Sequence, residues 1–145
     1  ALLHYLAGSA EEAKKILQRA IARFPKDAYN YGVLGYIQME EGDREGAKES
    51  FRLALRYNFQ HKLAHLLLGK CYLLDKEYEL ARTHFQRVLS FDNRSVLAHD
   101  GIGEVYFALG SKESALQAWQ RAGELDPTYI PSRRRLLEFS PKNRD

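Results

Sequence analysis

The chain has 145 residues, of which 45% are hydrophobic and 28% are charged, and its formal net charge is +3. This composition is typical of a helical protein with a charged surface, and no apolar run approaches the roughly 18 residues of a membrane-spanning helix. The single cysteine, Cys71, excludes an internal disulfide and leaves the redox compartment undecided.

The positive charge is concentrated at the C-terminal end. Residues 128–145 contain five basic and two acidic side chains, so the rest of the chain is neutral and has no broad field that would attract a polyanion. Arg133, Arg134 and Arg135 form the one basic cluster, but three consecutive residues point in three directions on a helix. The sequence therefore predicts no nucleic-acid partner and no direct membrane insertion. The arginines are interpreted as solvating the end of the fold, with contact to an acidic partner segment as the alternative.

In chain order, the first predicted element is a short helix that ends at Gly8. Ser9 and Glu12 have the spacing of a capping box and predict a second helix, which Pro25 ends. The first helix lacks its beginning, so the sequence is interpreted as a piece of a longer chain. We expect its uncovered leucines to favour self-association at this open end; they are Leu2, Leu3 and Leu6.

Six further helices follow, joined by connections of about two to four residues that favour antiparallel neighbours. They are predicted at 28–41, 44–57, 62–75, 78–90, 96–109 and 112–125. The predicted caps and stops are Asp27, Gly42, Asp43, Ser95, Gly110 and Ser111. Lys76 and Glu77 replace the usual glycine and cap, so we expect a less rigidly specified turn there.

Small residues recur at a constant interval of 34 residues along the chain. The interval joins Gly35, Gly69 and Gly103, and it also joins Ala13, Ala47, Ala81 and Ala115. A fixed period of about 20 to 50 residues indicates a repeat protein. The most complete copy contains His99, Ile102, Gly103, Tyr106, Ala115, Trp119, Ala122 and Pro127.

This pattern resembles the tetratricopeptide repeat, which has a 34-residue period and the order W-x2-L-G-x2-Y, A-x3-F, P. The departures are Gln38 in place of the tyrosine, Phe59 and Asn93 in place of the proline, and a partial first copy. The resemblance implies an all-α, right-handed α-solenoid of antiparallel helix pairs with a C-terminal capping helix. Its expected parts are a partial repeat at 1–26, repeats at 27–60, 61–94 and 95–128, a capping helix at 129–139 and a polar tail at 140–145.

The resemblance also implies that the first helix of each repeat lines a concave groove. We therefore expect a non-catalytic scaffold for protein–protein interaction, in which an apolar peptide or amphipathic helix of a partner protein binds in that groove. The predicted contact residues are Tyr29, Val33, Tyr36, Leu63, Leu66, Lys70, Leu97, Asp100 and Glu104. Tyr36 and Leu66 are the predicted exposed anchors. Some family members clamp a chaperone's carboxylate with lysines and asparagines. That clamp is absent here, since the corresponding positions hold Gly32, Tyr36, Leu66, Lys70, Asp100 and Glu104.

Two pairs of residues could indicate a metal site or an enzyme. His65 and His99 could form a metal site, but both replace an aromatic residue that packs inside its own helix pair, so no metal or cofactor is predicted. Asp100 and Glu104 lie one turn apart and are interpreted as a solvated acidic face, since no nucleophile accompanies them and no enzyme is predicted. The alternative function is a structural spacer or self-association segment of a longer repeat array.

Overall fold

The computed structural model describes residues 9–139, and within that range the chain is helical with no strand. The helices are α1 Ala10–Arg23, α2 Ala28–Glu40, α3 Arg44–Tyr57, α4 Lys62–Leu74, α5 Tyr78–Phe91, α6 Val96–Ala108, α7 Lys112–Leu125 and α8 Ile130–Phe139. The predicted all-α fold is confirmed, and the predicted boundaries from 28 onward agree within one residue. The first helix with its Gly8 stop, the N-terminal leucines and the tail at 140–145 lie outside the described residues.

The chain divides into two compact units, Ala1–Leu68 and Gly69–Asp145. In the first unit, α2 and α3 pack as a pair, and α1 contacts α2. The approach of α2 to α3 is close because Gly35 has no side chain: a Cβ at that position would lie 2.6 Å from the ring of Phe51. Phe51 and Ala47 are fully buried by this pair, as expected for the large and small residues of a helix-pair contact.

The second unit repeats the same contact between glycine and an aromatic ring. A Cβ on Gly69 would lie 2.9 Å from the Phe85 ring, and a Cβ on Gly103 would overlap the indole of Trp119. Phe85 also touches the next helix of the unit, because a Cβ on Gly101 would lie 2.6 Å from its ring. The three glycines of the 34-residue period therefore all lie where an aromatic side chain of the following helix needs the space.

Side-chain caps are formed at three of the five predicted positions. Asp27 accepts from the Tyr29 N–H, Asp43 from the Gly46 N–H, and Ser95 from the Ala98 N–H. The predictions for Ser9 and Ser111 were wrong, since neither hydroxyl caps its helix. Both helices carry glutamates in the first turn, which favour the same helix end through the helix dipole.

The turns after α2, α4 and α6 share one geometry. Gly42 has φ +85° and Gly110 has φ +86°, and the lysine at the equivalent position, Lys76, adopts φ +61°. In each turn the next residue donates its N–H to a carbonyl five residues earlier, as in Glu77 to Tyr72 at 2.8 Å. The turn with Lys76 therefore has the same geometry as the other two turns, and the expectation of a less rigidly specified turn was wrong. The lysine instead costs free energy, because a residue with a side chain disfavours the left-handed conformation.

Replacing Lys76 with glycine should stabilise the chain by about 1 kcal/mol, because an L-residue with a side chain pays roughly that much in the left-handed region. The reciprocal change, Gly110→Lys, should cost a similar amount. Urea unfolding of both variants and the parent measures the difference. A Lys76→Gly variant less stable than the parent would show that the lysine side chain makes a compensating contact.

Candidate protein-binding surface

In the first unit, α2 carries apolar and aromatic side chains around most of its circumference. Its one charged residue is Glu40, at the last position. Tyr29 lies in the first turn with 68% of its surface exposed, while Val33 and Tyr36, on the following turns, are half-buried. A helix without a charged face is normally covered by protein on more than one side. The exposure of an apolar part of α2 is therefore unusual and marks a candidate binding surface.

The first turn of α4 lies against α2. Gly32 of α2 leaves room for the His61 imidazole, whose Nε2 is 3.0 Å from where a Cβ on Gly32 would be. His61 caps α4 by accepting the Ala64 N–H on Nδ1 at 3.2 Å, and burial lowers the pKa of this imidazole. Leu63, next to this cap, is 43% exposed. His61 was not predicted as a cap, because histidine is not a usual N-cap residue.

Leu66 does not have its predicted exposure. Only 9% of its surface is accessible, so the choice of Leu66 as an exposed anchor was wrong. Most of the α4 sequence is apolar, and a helix of that kind hides more than one stripe. Leu63, one turn earlier, is the exposed leucine on this part of the helix. Lys70 and Leu97, which belong to the second unit, are exposed.

The acidic pair of α6 is not a solvated face. Asp100 is buried, and its carboxylate accepts hydrogen bonds from the Ser132 hydroxyl at 3.1 Å and the Tyr129 hydroxyl at 3.3 Å. Arg135 of α8 bridges the pair by donating from Nη1 to Asp100 and from Nη2 to Glu104. We call these five residues the Asp100 cluster. The hydrogen-bond donors of this cluster therefore already bind the carboxylates of Asp100 and Glu104, which were predicted to contact a partner.

The electrostatics of the Asp100 cluster follow from burial and proximity. Burial raises the pKa of Glu104, and the neighbouring Arg135 charge opposes that rise. Burial and then the charge of Asp100 raise the pKa of the Tyr129 hydroxyl to about 12, so it is a neutral donor near pH 7. The paired carboxylates are thus held by an arginine and two hydroxyls of the same unit, an arrangement that fastens α8 to α6.

Arg135 also contradicts the prediction that all three arginines solvate the end of the fold. Its guanidinium lies 5.3 Å from the centre of the Trp119 ring, and Phe139 stacks on the same indole at 6.0 Å. Arg133 and Arg134 remain exposed. The available signal was the pair of acids at positions i and i+4 on α6 followed by arginines on the next first-helix segment. Which of three consecutive arginines faces that pair depends on the packing of α8.

The histidines at the repeated position are used in structural hydrogen bonds. His65 Nε2 lies 2.8 Å from the Phe59 carbonyl and His99 Nε2 lies 3.0 Å from the Asn93 carbonyl. The Tyr31 hydroxyl, one repeat earlier, donates to the Pro25 carbonyl at 2.8 Å. In each case the ring tip reaches a carbonyl six residues earlier, so Nε2 of both histidines carries the proton that the carbonyl accepts. Over residues 9–139 no three metal-binding side chains are grouped together, and no helix combines the length and apolarity needed to cross a membrane.

Comparisons with known proteins agree with this architecture. Two family models described as tetratricopeptide repeat match residues 1–27 and 33–96, together more than half of the chain. Anaphase-promoting complex subunit 3 of Schizosaccharomyces pombe is 32% identical over 115 residues, which are 79% of this chain and 17% of that protein. The chain thus spans about a sixth of the length of this relative.

Among solved structures, MamA from Desulfovibrio magneticus RS-1 has a TM-score of 0.82 and 26% identity, over 91% of this chain and 75% of that one. The first TPR of Spaghetti (RPAP3), bound to the HSP90 peptide SRMEEVD, has a TM-score of 0.75 and 18% identity, over 79% and 90% of the chains. These similarities confirm the predicted α-solenoid fold class. The chain therefore belongs to the tetratricopeptide repeat family, whose members are generally non-catalytic scaffolds for interactions with other proteins.

Proposed function

We propose that the chain binds an apolar peptide or amphipathic helix of a partner protein on the first-helix face of its first unit. We call this face the α2–α4 surface and define it by Tyr29, Val33, Tyr36 and Leu63. The observation that carries the proposal is the exposure of Tyr29 and Leu63 on helices that meet through Gly32 and His61.

The chemistry of this surface favours an apolar ligand. Tyrosine provides a large, rigid contact area and a hydroxyl at its edge, and it is enriched among the residues that dominate binding energy. The part of α2 before Glu40 has no charged side chain that would select an ionic ligand. An amphipathic helix or extended peptide with spaced apolar side chains fits such a face. Lys70 and Leu97, on first helices of the second unit, remain predicted contacts.

A carboxylate-clamp mode is less well supported. The RPAP3 domain was solved with an acidic peptide, but its likeness to this chain is one of fold. The positions where some family members have lysine and asparagine contain a single cation, Lys70; the others are Gly32, Tyr36, Leu66, Asp100 and Glu104. Asp100 and Glu104 would repel an acidic peptide, and Arg135 already occupies them. The relative from the anaphase-promoting complex is named as a subunit of an assembly, which supports a protein partner.

Substituting Tyr29 or Leu63 with aspartate should reduce the affinity for a bound peptide by roughly 2 kcal/mol, or about 30-fold, because each change places a charge in an apolar contact. Peptides are first selected from a random display library against the parent chain, and the strongest binder is then measured by calorimetry. The matched control is Leu80→Asp on α5, since Leu80 is 45% exposed and Leu63 is 43% exposed. The control should bind like the parent.

Circular dichroism and thermal unfolding must show that all three variants are folded, which their exposure leads us to expect. Equal binding by the parent, Tyr29→Asp and Leu63→Asp would remove the α2–α4 surface from the mechanism. A selection that yields no specific peptide would favour the alternative, a spacer in a longer repeat array.

A further inference from the structure

The C-terminal helix α8 has two unlike faces. One face carries Ser132, Arg135 and Phe139, which contact Asp100 or Trp119 within the second unit. The opposite face lines an open cleft of about 430 Å³. We call that face the outer α8 face; it consists of Ile130, Arg133, Arg134, Leu137 and Glu138. Ile130 is 69% exposed and Leu137 is 61% exposed, a high exposure for two aliphatic side chains on one short helix.

The repeat register indicates what kind of element fits the outer α8 face. Leu137 lies 34 residues after Gly103, which itself follows Gly69 and Gly35 at the same interval. Each of those glycines faces an aromatic ring on a second helix, as Gly103 faces Trp119 on α7. The outer α8 face is therefore the side of a first helix that a second helix covers in the preceding repeats. The matching occupant is a helix.

The identity of residue 137 restricts that helix further. The earlier repeats place a glycine opposite a phenylalanine or tryptophan, whereas α8 presents a leucine. A ring of that size opposite Leu137 would overpack the contact, which typically costs about 1–3 kcal/mol. The covering helix therefore needs a small residue, such as alanine, where α3, α5 and α7 carry Phe51, Phe85 and Trp119.

Charge supplies the second restriction. Arg133 and Arg134 lie between Ile130 and Leu137 along the outer α8 face, and both are exposed, with Glu138 as the single acid on that face. A helix with carboxylates beside its apolar ridge would pair with the two guanidinium groups, and such charges favour the matching partner over a basic one. The ligand should therefore be helical, small at one central position, and acidic beside its apolar residues.

We infer that the outer α8 face binds an acidic amphipathic helix of a partner protein, which packs on Ile130 and Leu137 in the way that a second helix packs on a first helix within a repeat. This interaction surface is separate from the α2–α4 surface and does not depend on it. The two surfaces lie on different units, so each is tested by its own variants.

The probe is a 14-residue peptide with the sequence of α7, held helical by a side-chain cross-link, since isolated helices of this length are marginal. The acidic version carries Trp119→Ala, Lys112→Glu and Arg121→Glu. A second version keeps Trp119 but is otherwise identical, and a third, basic version carries Trp119→Ala, Glu113→Lys and Glu124→Lys. Fluorescence anisotropy of the labelled peptides measures their affinity for the parent chain and its variants.

We expect the acidic peptide to bind in the micromolar range and the other two to bind at least about tenfold more weakly. Leu137→Glu and the double variant Arg133→Glu, Arg134→Glu should each reduce its affinity by about tenfold or more. Leu80→Asp, at an exposed leucine outside both proposed surfaces, should leave it unchanged. No binding of the acidic peptide at about millimolar concentration, or equal affinity for the parent and Leu137→Glu, would overturn the inference. Because the substituted residues are exposed, an unfolded variant is not expected, and circular dichroism checks this.

Discussion

Replacing Gly103 with leucine is expected to destabilise the chain by about 3 kcal/mol, at the upper end of the usual cost of overpacking a core. The first atom of any side chain at this position would overlap the Trp119 indole. The indole has little freedom to move, because its Nε1 donates to the Asp100 carbonyl at 3.3 Å and its ring contacts Phe107 and Phe139. Urea unfolding followed by circular dichroism measures the loss.

Gly123 provides a matched control within α7. A Cβ there would lie 3.8 Å from Leu136, an ordinary contact, and alanine is about 1 kcal/mol more favourable than glycine inside a helix. Gly123→Ala should therefore stabilise the chain, while Gly103→Ala should destabilise it. Gly35→Leu and Gly69→Leu should behave like Gly103→Leu, since their Cβ positions meet Phe51 and Phe85. If Gly103→Ala and Gly123→Ala shift stability in the same direction, the assigned helix contact is wrong.

Replacing Arg135 with methionine should cost about 3 kcal/mol near neutral pH. Breaking a buried ion pair typically costs 3–5 kcal/mol, because one charge is left without its partner, and the partial exposure of Arg135 favours the lower end of that range. Asp100 would keep the Ser132 and Tyr129 hydroxyls but lose its cation. Methionine retains much of the apolar volume against Trp119, so the loss reports mainly on charge.

Three further measurements separate the ionic role of Arg135 from its packing. Arg135 opposes the rise in the Glu104 pKa, so Arg135→Met should raise that pKa further, and a carboxyl NMR titration would detect the shift. A carboxyl with a raised pKa loses stability as pH rises through that pKa, so the destabilisation by Arg135→Met should be smaller below about pH 4 than at neutral pH. The triple variant Arg135→Met, Asp100→Asn, Glu104→Gln should regain part of the stability. A pH-independent loss with no recovery would assign Arg135 a packing role alone.

The fold was predictable because the 34-residue period combines several independent signals. Gly35, Gly69 and Gly103 mark the helix contacts, and Gly42 and Gly110 mark the left-handed turns, so small residues specified both packing and chain reversal. The turn at Lys76 shows that the surrounding helices can determine the backbone conformation of a turn. The neighbouring helices impose the left-handed geometry on a lysine, although the local sequence disfavours it.

The candidate surface was less predictable, because the exposure of a side chain depends on which other helices pack against it. The pattern of apolar residues within one helix does not give that information. Leu63 and Leu66 are both apolar residues of α4, yet one is exposed and the other is buried. Likewise, the sequence of α6 alone predicts that Asp100 and Glu104 are solvated. In the structure both carboxylates are paired with Arg135 of α8. A basic residue about one repeat after an acid pair is a usable signal, but the choice among three consecutive arginines requires the rotation of α8.

Site-specific crosslinking tests the central claim, that partners bind the α2–α4 surface, most directly. A benzophenone amino acid is introduced in place of Tyr29, and separately in place of Leu80 on the second helix α5, and each chain is irradiated with the selected peptide at a saturating concentration. Both positions are exposed, so the reagent is accessible in each. We expect a crosslinked product from position 29, lost on competition with unlabelled peptide, and none from position 80. Crosslinking from position 80 with none from position 29 would show that partners do not bind the α2–α4 surface.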